Sequence, residues 1–149
     1  MSLLLKDKVA LVTGGGAGIG RGIAREFARQ GAKVVIAEFD ATSGQQVADE
    51  LAALGGEGLF VATDITRVET VKEAINVAYR HWGQIDILVN NAYPTMAHLP
   101  APIEDIDEQR LEASMTAGFF AVTAAMQAVF EKMKAMEQGT NVGNVKDKS

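Results

Sequence analysis

The chain has 149 residues, of which 48% are hydrophobic and 22% charged, and its formal net charge is −5. That length fits one domain with a core of its own, and the acidic balance argues against a nucleic-acid footprint. With no cysteine, a disulfide framework and thiolate chemistry are excluded. Met1 to Leu5 is too short for a signal h-region, and no apolar run is expected to reach the ~20 residues of a membrane span, so the expected setting is soluble and cytoplasmic.

Val9–Thr13 is apolar with valines and reads as a buried strand. Gly14, Gly15, Gly16, Gly18 and Gly20 follow it. Gly18 to Gln30 then places Ile23, Ala24, Phe27 and Ala28 on one helical face, with Gly31 as the residue that stops the helix. Lys33–Glu38 is a second β-branched strand. A second helix, capped by Thr42 or Ser43 or by Asp40, runs to about Leu54 with Val47, Leu51 and Leu54 inward. Gly55 to Gly58 breaks it, and Leu59–Thr63 is a third strand ending at Asp64. A third helix starts at Thr66, with Glu69 completing a capping box, and ends at Gly83. Ile85–Val89 is the fourth strand. An irregular stretch with Pro94, Pro100 and Pro102 leads to a long helix from Asp105 or Asp107 to about Glu137. Strands alternating with helices at short spacing predict βαβ units and a parallel sheet.

Strand, glycine-rich turn and helix together aim backbone N–H groups and a helix N-terminus at a phosphate. A tight turn for close helix packing would need the same glycines. Gly15 and Gly20 have P-loop spacing, but Arg21 and Gly22 stand where Lys and Ser/Thr are required. Glu38 ends strand two eighteen residues after Gly20, where an acid can accept hydrogen bonds from adenosine ribose hydroxyls. It would repel a 2′-phosphate, and the neighbouring Phe39 supplies no cation, which favours NAD over NADP. Asp64 ends strand three, and Asn90-Asn91-Ala92 ends strand four. In an open parallel sheet, ligands bind outside these carboxyl ends.

Thr13-Gly14-Gly-Gly-Ala-Gly18-Ile-Gly20, Asp64-Ile65 and Asn90-Asn91-Ala92 occur in the order and spacing of the short-chain dehydrogenase/reductase family, which residues 6 to 137 resemble. The resemblance implies a Rossmann-like α/β fold: a three-layer sandwich whose parallel sheet has at least four strands, the first half of the short-chain dehydrogenase fold. It also implies that Gly14, Gly16, Gly18, Ile19 and Gly20 face the pyrophosphate and nicotinamide side of NAD. By the same likeness Glu38 holds the adenosine ribose, Asp64 and Ile65 the adenine, and Asn91 with Ala92 line the groove. The reaction implied is hydride transfer between nicotinamide and a secondary alcohol or ketone.

The family's Tyr-x-x-x-Lys pair has no counterpart in these residues, because Tyr79 is followed four places on by Gly83 and Tyr93 by Ala97. Tyr93 also replaces the glycine of Asn-Asn-Ala-Gly. Met115 falls at the family's Asn on the fourth helix and can neither donate nor accept usefully. No catalytic residue is therefore assigned, and a catalytically incomplete dinucleotide-binding or oligomerisation module is the alternative function. Tyr79 is expected on a helix face, His81 at a helix end and His98 in the proline-rich loop; no cluster has metal-ligand spacing. The fourth helix is apolar beyond one stripe, with Leu111, Met115, Phe119, Met126 and Phe130 among its apolar residues. The resemblance implies that it also packs against a twofold mate, giving a homodimer or homotetramer through helix 108–137. Gln138 to Ser149 is polar and glycine-containing, a tail outside the 1–137 domain, which leaves strand four at an edge.

Overall fold

The computed structural model describes residues 2–93 and 101–138. Four parallel strands, β1 (Val9–Thr13), β2 (Lys33–Glu38), β3 (Glu57–Ala62) and β4 (Ile87–Val89), form one sheet in the order β3-β2-β1-β4. Parallel pairs need long crossovers, and helices supply them. α1 (Gly18–Arg29), α2 (Ala41–Ala53) and α3 (Val68–Trp82) link the strands, and a 3₁₀ turn (Ile103–Asp105) precedes the long helix Glu108–Glu137.

Side chains alternate across the pleat. Ala10, Val12, Val34 and Ile36 pack with Ala24 and Ala28 of α1 and Val47 and Leu51 of α2. On the opposite face, Leu11 and Val35 pack with Val71 and Ile75 of α3 and with Ala125 and Val129 of the long helix. β1 and β2 are therefore apolar without alternation, being buried on both faces. β4 is only half-buried, and among the described residues no strand lies outside it.

Several predicted boundaries shift. β3 starts at Glu57 and not Leu59, because Glu57 and Gly58 pair with Lys33 and Val34. Gly58 lies against the Ala48 backbone of α2, so it serves close packing and is not a break. β4 starts at Ile87, since Asp86 turns its carboxylate to accept from Val9 N–H at 2.8 Å. Asp40 caps α2, accepting from Ser43 N–H at 2.7 Å; Thr42 and Ser43 lie in the first turn. The bond from Ser43 N–H leads the causes that hold the Asp40 carboxyl below its usual range. The capping box at Thr66 does not form. α3 begins at Val68 without a side-chain cap, and Thr66 serves Asp64 instead. Asp107, not Asp105, caps the long helix, accepting from Arg110 N–H at 2.7 Å. Gly31 follows α1 as expected, at φ +87°.

The long helix is two α segments, α4 (Glu108–Met115) and α5 (Ala121–Glu137), joined by a π turn over Thr116–Phe120. By length and composition it is long and apolar enough to cross a membrane, a test that a helix covering a sheet also passes. Ala121, Ala125 and Val129 cover the sheet beside α3, while Leu111, Phe119, Met126 and Phe130 are exposed. Tyr79 is buried against this helix, under Lys132, rather than displayed on a helix face. Arg21 is bonded through two nitrogens to Glu50 (2.7 and 3.2 Å), joining α1 to α2. The hydrogen bond from Arg21 is the chief reason the Glu50 carboxyl lies below its usual range. With its guanidinium committed there, Arg21 is no phosphate-loop lysine. The polar tail, apart from Gln138, lies outside the described residues.

Candidate functional site

A parallel sheet brings the carboxyl ends of all its strands to one edge. There a pocket of about 360 Å³ opens. Gly14 lines it from the end of β1, and Glu38 and Phe39 from the end of β2. Asp64, Ile65 and Thr66 line it after β3, and Asn91, Ala92 and Tyr93 after β4.

Thr13 joins the two central walls. Its hydroxyl accepts from Asn91 N–H and Ala92 N–H, each at 3.0 Å, and donates to Val89 C=O at 3.4 Å. The Asn91 amide Nδ2 in turn donates to the carbonyls of Thr13 (3.0 Å) and Gly14 (3.3 Å). Backbone groups that neighbouring strands no longer pair are thus satisfied by two side chains. This lock holds the turn after β1 against the chain after β4.

Glu38 braces the same turn from the other side. Its Oε2 accepts from Gly16 N–H at 2.9 Å and its Oε1 from Phe39 N–H at 2.8 Å. The Gly16 amide therefore meets Glu38, and a Cβ at Gly16 would collide with the Glu38 side chain and Ser43 Oγ. Asp64 Oδ1 accepts from the N–H and hydroxyl of Thr66 at 2.9 and 2.7 Å. Those bonds leave Oδ2 without a protein partner among the described residues.

Of the residues expected to hold cofactor, Gly14, Glu38, Asp64, Ile65, Asn91 and Ala92 come together around the pocket. Gly16, Gly18, Ile19 and Gly20 are not among its walls. Gly18 and Ile19 open α1, and the Ile19 side chain is 77% exposed. Gly20 is buried, with the Gly14 carbonyl and the Asn91 amide where a Cβ would stand. Its role is close packing, the alternative reading of the glycines. Gly14 has φ +65° and lies 3.0 Å, measured from an added Cβ, from Ala92 Cα, so it combines a left-handed turn with a close approach.

Tyr93 lines the pocket, as expected of a loop aromatic near the cleft, whereas the sequence did not single out Phe39 as lining or Thr13 as a lock. One available signal was that Thr13 is the single hydroxyl residue in β1, immediately before the turn. Met115 ends α4 directly before the π turn and is half-exposed. His81 stacks edge-on against Trp82 at 4.7 Å, while His98 lies outside the described residues. Among the described residues no group of three or more His, Asp or Glu could hold a metal ion.

Residues 8–145 match the model of the short chain dehydrogenase family. The chain belongs to that family. The match runs past residue 137 into the segment read as a tail. An uncharacterized oxidoreductase of Bacillus subtilis, YxjF, is 39% identical over 139 residues, which are 91% of this chain and 51% of YxjF. A 3-ketoacyl-(acyl-carrier-protein) reductase from Brucella melitensis, solved with NADH, is similar with a TM-score of 0.77 and 33% identity, covering 91% of this chain and 54% of that one. A short chain dehydrogenase from Burkholderia cenocepacia, solved with NADP, is similar with a TM-score of 0.80 and 33% identity, over 86% of this chain and 51% of that one. This short-chain dehydrogenase chain thus spans about half the length of the relatives it matches. Its Rossmann-like parallel sheet and nucleotide-binding turn are the family's.

Proposed function

We propose that the pocket holds a nicotinamide dinucleotide, with NAD favoured over NADP, in an oxidoreductase acting on a secondary alcohol or ketone. The observation that carries this is the Glu38 carboxylate at the end of β2, in the pocket wall and in no ion pair among the described residues. Glu38 bonds only backbone N–H groups among the described residues, and its oxygens have lone pairs left for ribose hydroxyls. A 2′-phosphate placed there would meet like charge. Gly14, Asn91 and Ala92 would hold the groove beside the cofactor, and Asp64 with Ile65 the adenine. The bound nicotinamide supplies the hydride chemistry; the protein supplies position and electrostatics. We place the protein in the cytoplasm, a setting compatible with a cysteine-free chain.

NADH and NADPH titrated separately, followed by nicotinamide fluorescence, test this reading. Wild type is expected to bind NADH more tightly. Glu38→Ala is expected to lose roughly 10- to 100-fold in NADH affinity, the scale of hydrogen bonds to a charged group, and to narrow the gap to NADPH. Tighter binding of NADPH by wild type would overturn the preference. Turnover with a panel of secondary alcohols tests the reaction. Met115, a side chain that can neither donate nor accept usefully, favours a second reading, a dinucleotide-binding or oligomerisation module.

We further propose self-association through the exposed face of helix 108–137. Leu111, Phe119, Met126 and Phe130 give it an apolar surface suited to a twofold mate. Sedimentation velocity of wild type against Phe119→Lys/Phe130→Lys checks this: the variant is expected to be monomeric, and an unchanged larger species would defeat the proposal.

A further inference from the structure

The two aromatic side chains in the pocket wall are both exposed: Phe39 by 68% and Tyr93 by 71%. We propose that they form a clamp that holds the adenine base of the dinucleotide between them, so that Tyr93 is a positioning residue particular to this chain. This rests on the dinucleotide reading above.

Phe39 follows β2 and Tyr93 follows the end of β4, and both strands are neighbours of β1. The strands they follow lie two spacings apart, about 10 Å, with Phe39 one residue past β2 and Tyr93 four residues past β4. A flat base with a ring on each face needs about 7–8 Å between the rings, two contacts of 3.5–4 Å each. Both side chains line the one pocket, and leaning inward over a bound base would close that difference. Both rings hang from anchored backbone. Glu38 Oε1 accepts from Phe39 N–H at 2.8 Å, and the Thr13 hydroxyl accepts from Ala92 N–H, one residue before Tyr93, at 3.0 Å. Stacking on side chains carried by anchored backbone loses less freedom than stacking on a mobile segment. Asp64 Oδ2 lies in the same wall to accept from the amino group at the edge of the base. A glycine at position 93 could not stack, so the departure from the Asn-Asn-Ala-Gly pattern adds a contact.

Adenosine 5′-monophosphate is the probe, titrated into the full 149-residue protein by calorimetry and by proton NMR of adenine H2 and H8. Wild type is expected to bind it with upfield ring-current shifts of both protons. Tyr93→Leu and Phe39→Leu are each expected to weaken binding roughly tenfold, within the range for base–aromatic stacking, and to reduce the shifts. Tyr93→Phe is expected to behave as wild type, and nicotinamide mononucleotide to be insensitive to all three changes. If wild type binds NADH but Tyr93→Leu or Tyr93→Gly binds adenosine 5′-monophosphate as well as or better than wild type, the clamp is wrong and the dinucleotide site stands. If wild type binds neither nucleotide, the dinucleotide reading fails and the clamp with it.

Discussion

Thr13→Val is expected to destabilise the protein by about 2–3 kcal/mol and to abolish detectable NADH binding. Valine has nearly the shape of threonine, so the 4%-exposed position loses no packing volume. What is lost is the oxygen that accepts from Asn91 N–H and Ala92 N–H. Each half-buried N–H left without a partner costs about 1–3 kcal/mol. Binding suffers more than stability because the released segment is the pocket wall after β4. Thr13→Ser keeps the hydroxyl and is expected to retain most of both properties. Asn91→Asp tests the other half of the lock. It replaces the amide donor with a carboxylate oxygen facing the carbonyls of Thr13 and Gly14, and is expected to be worse than Asn91→Ala. Urea unfolding and NADH titration measure the two effects. A Thr13→Val protein indistinguishable from wild type in both would remove the lock from the account.

Gly20→Ala is expected to be the most disruptive single-methyl change in α1. The added Cβ would stand against the Gly14 carbonyl and the Asn91 Nδ2, between the partners of the 3.3 Å hydrogen bond that ties turn to wall. Both obstacles belong to the lock or the backbone, and neither is the free end of a flexible side chain. Overpacking of this kind costs about 1–3 kcal/mol, and more where backbone must move. Gly22→Ala, two residues on in the same helix, is the control. An added Cβ there meets nothing within 4 Å. It is expected to be neutral or to stabilise by about 0.5–1 kcal/mol, as alanine does in a helix interior. Thermal melts of the pair decide the matter. Equal effects would show that Gly20 is present for flexibility and not for close approach.

The long helix shows how far the sequence could be read. Its apolar excess was visible, and so was its extent to Glu137. The interruption at Thr116–Phe120 was not, because a π turn needs no proline and a single glycine, here Gly118, is tolerated inside a continuous helix. Asp64 is a similar case. Its place at the end of β3 was legible from the strand pattern. The commitment of Oδ1 to Thr66 was not, since the same Thr66 also suited a capping box with Glu69. Asp40 was legible as one of three caps, and only the 2.7 Å bond from Ser43 N–H chose among them.

By itself the sequence determined the alternation of strands and helices, the glycine turn and the acid at the end of β2. These follow from local patterns: apolar periodicity, residues tolerant of tight turns, and fixed spacing between them. Only the tertiary structure decided which glycines line the pocket and which pack against the protein, separating Gly14 in the pocket wall from Gly20 beneath it. It also decided that Thr13 and Asn91, 78 residues apart, hold one another, and that Phe39 and Tyr93 stand in one pocket wall. Such contacts depend on strand order, here β4 and β2 on either side of β1. Spacing along the chain does not encode that order, because it is set by how the two faces of the sheet are buried.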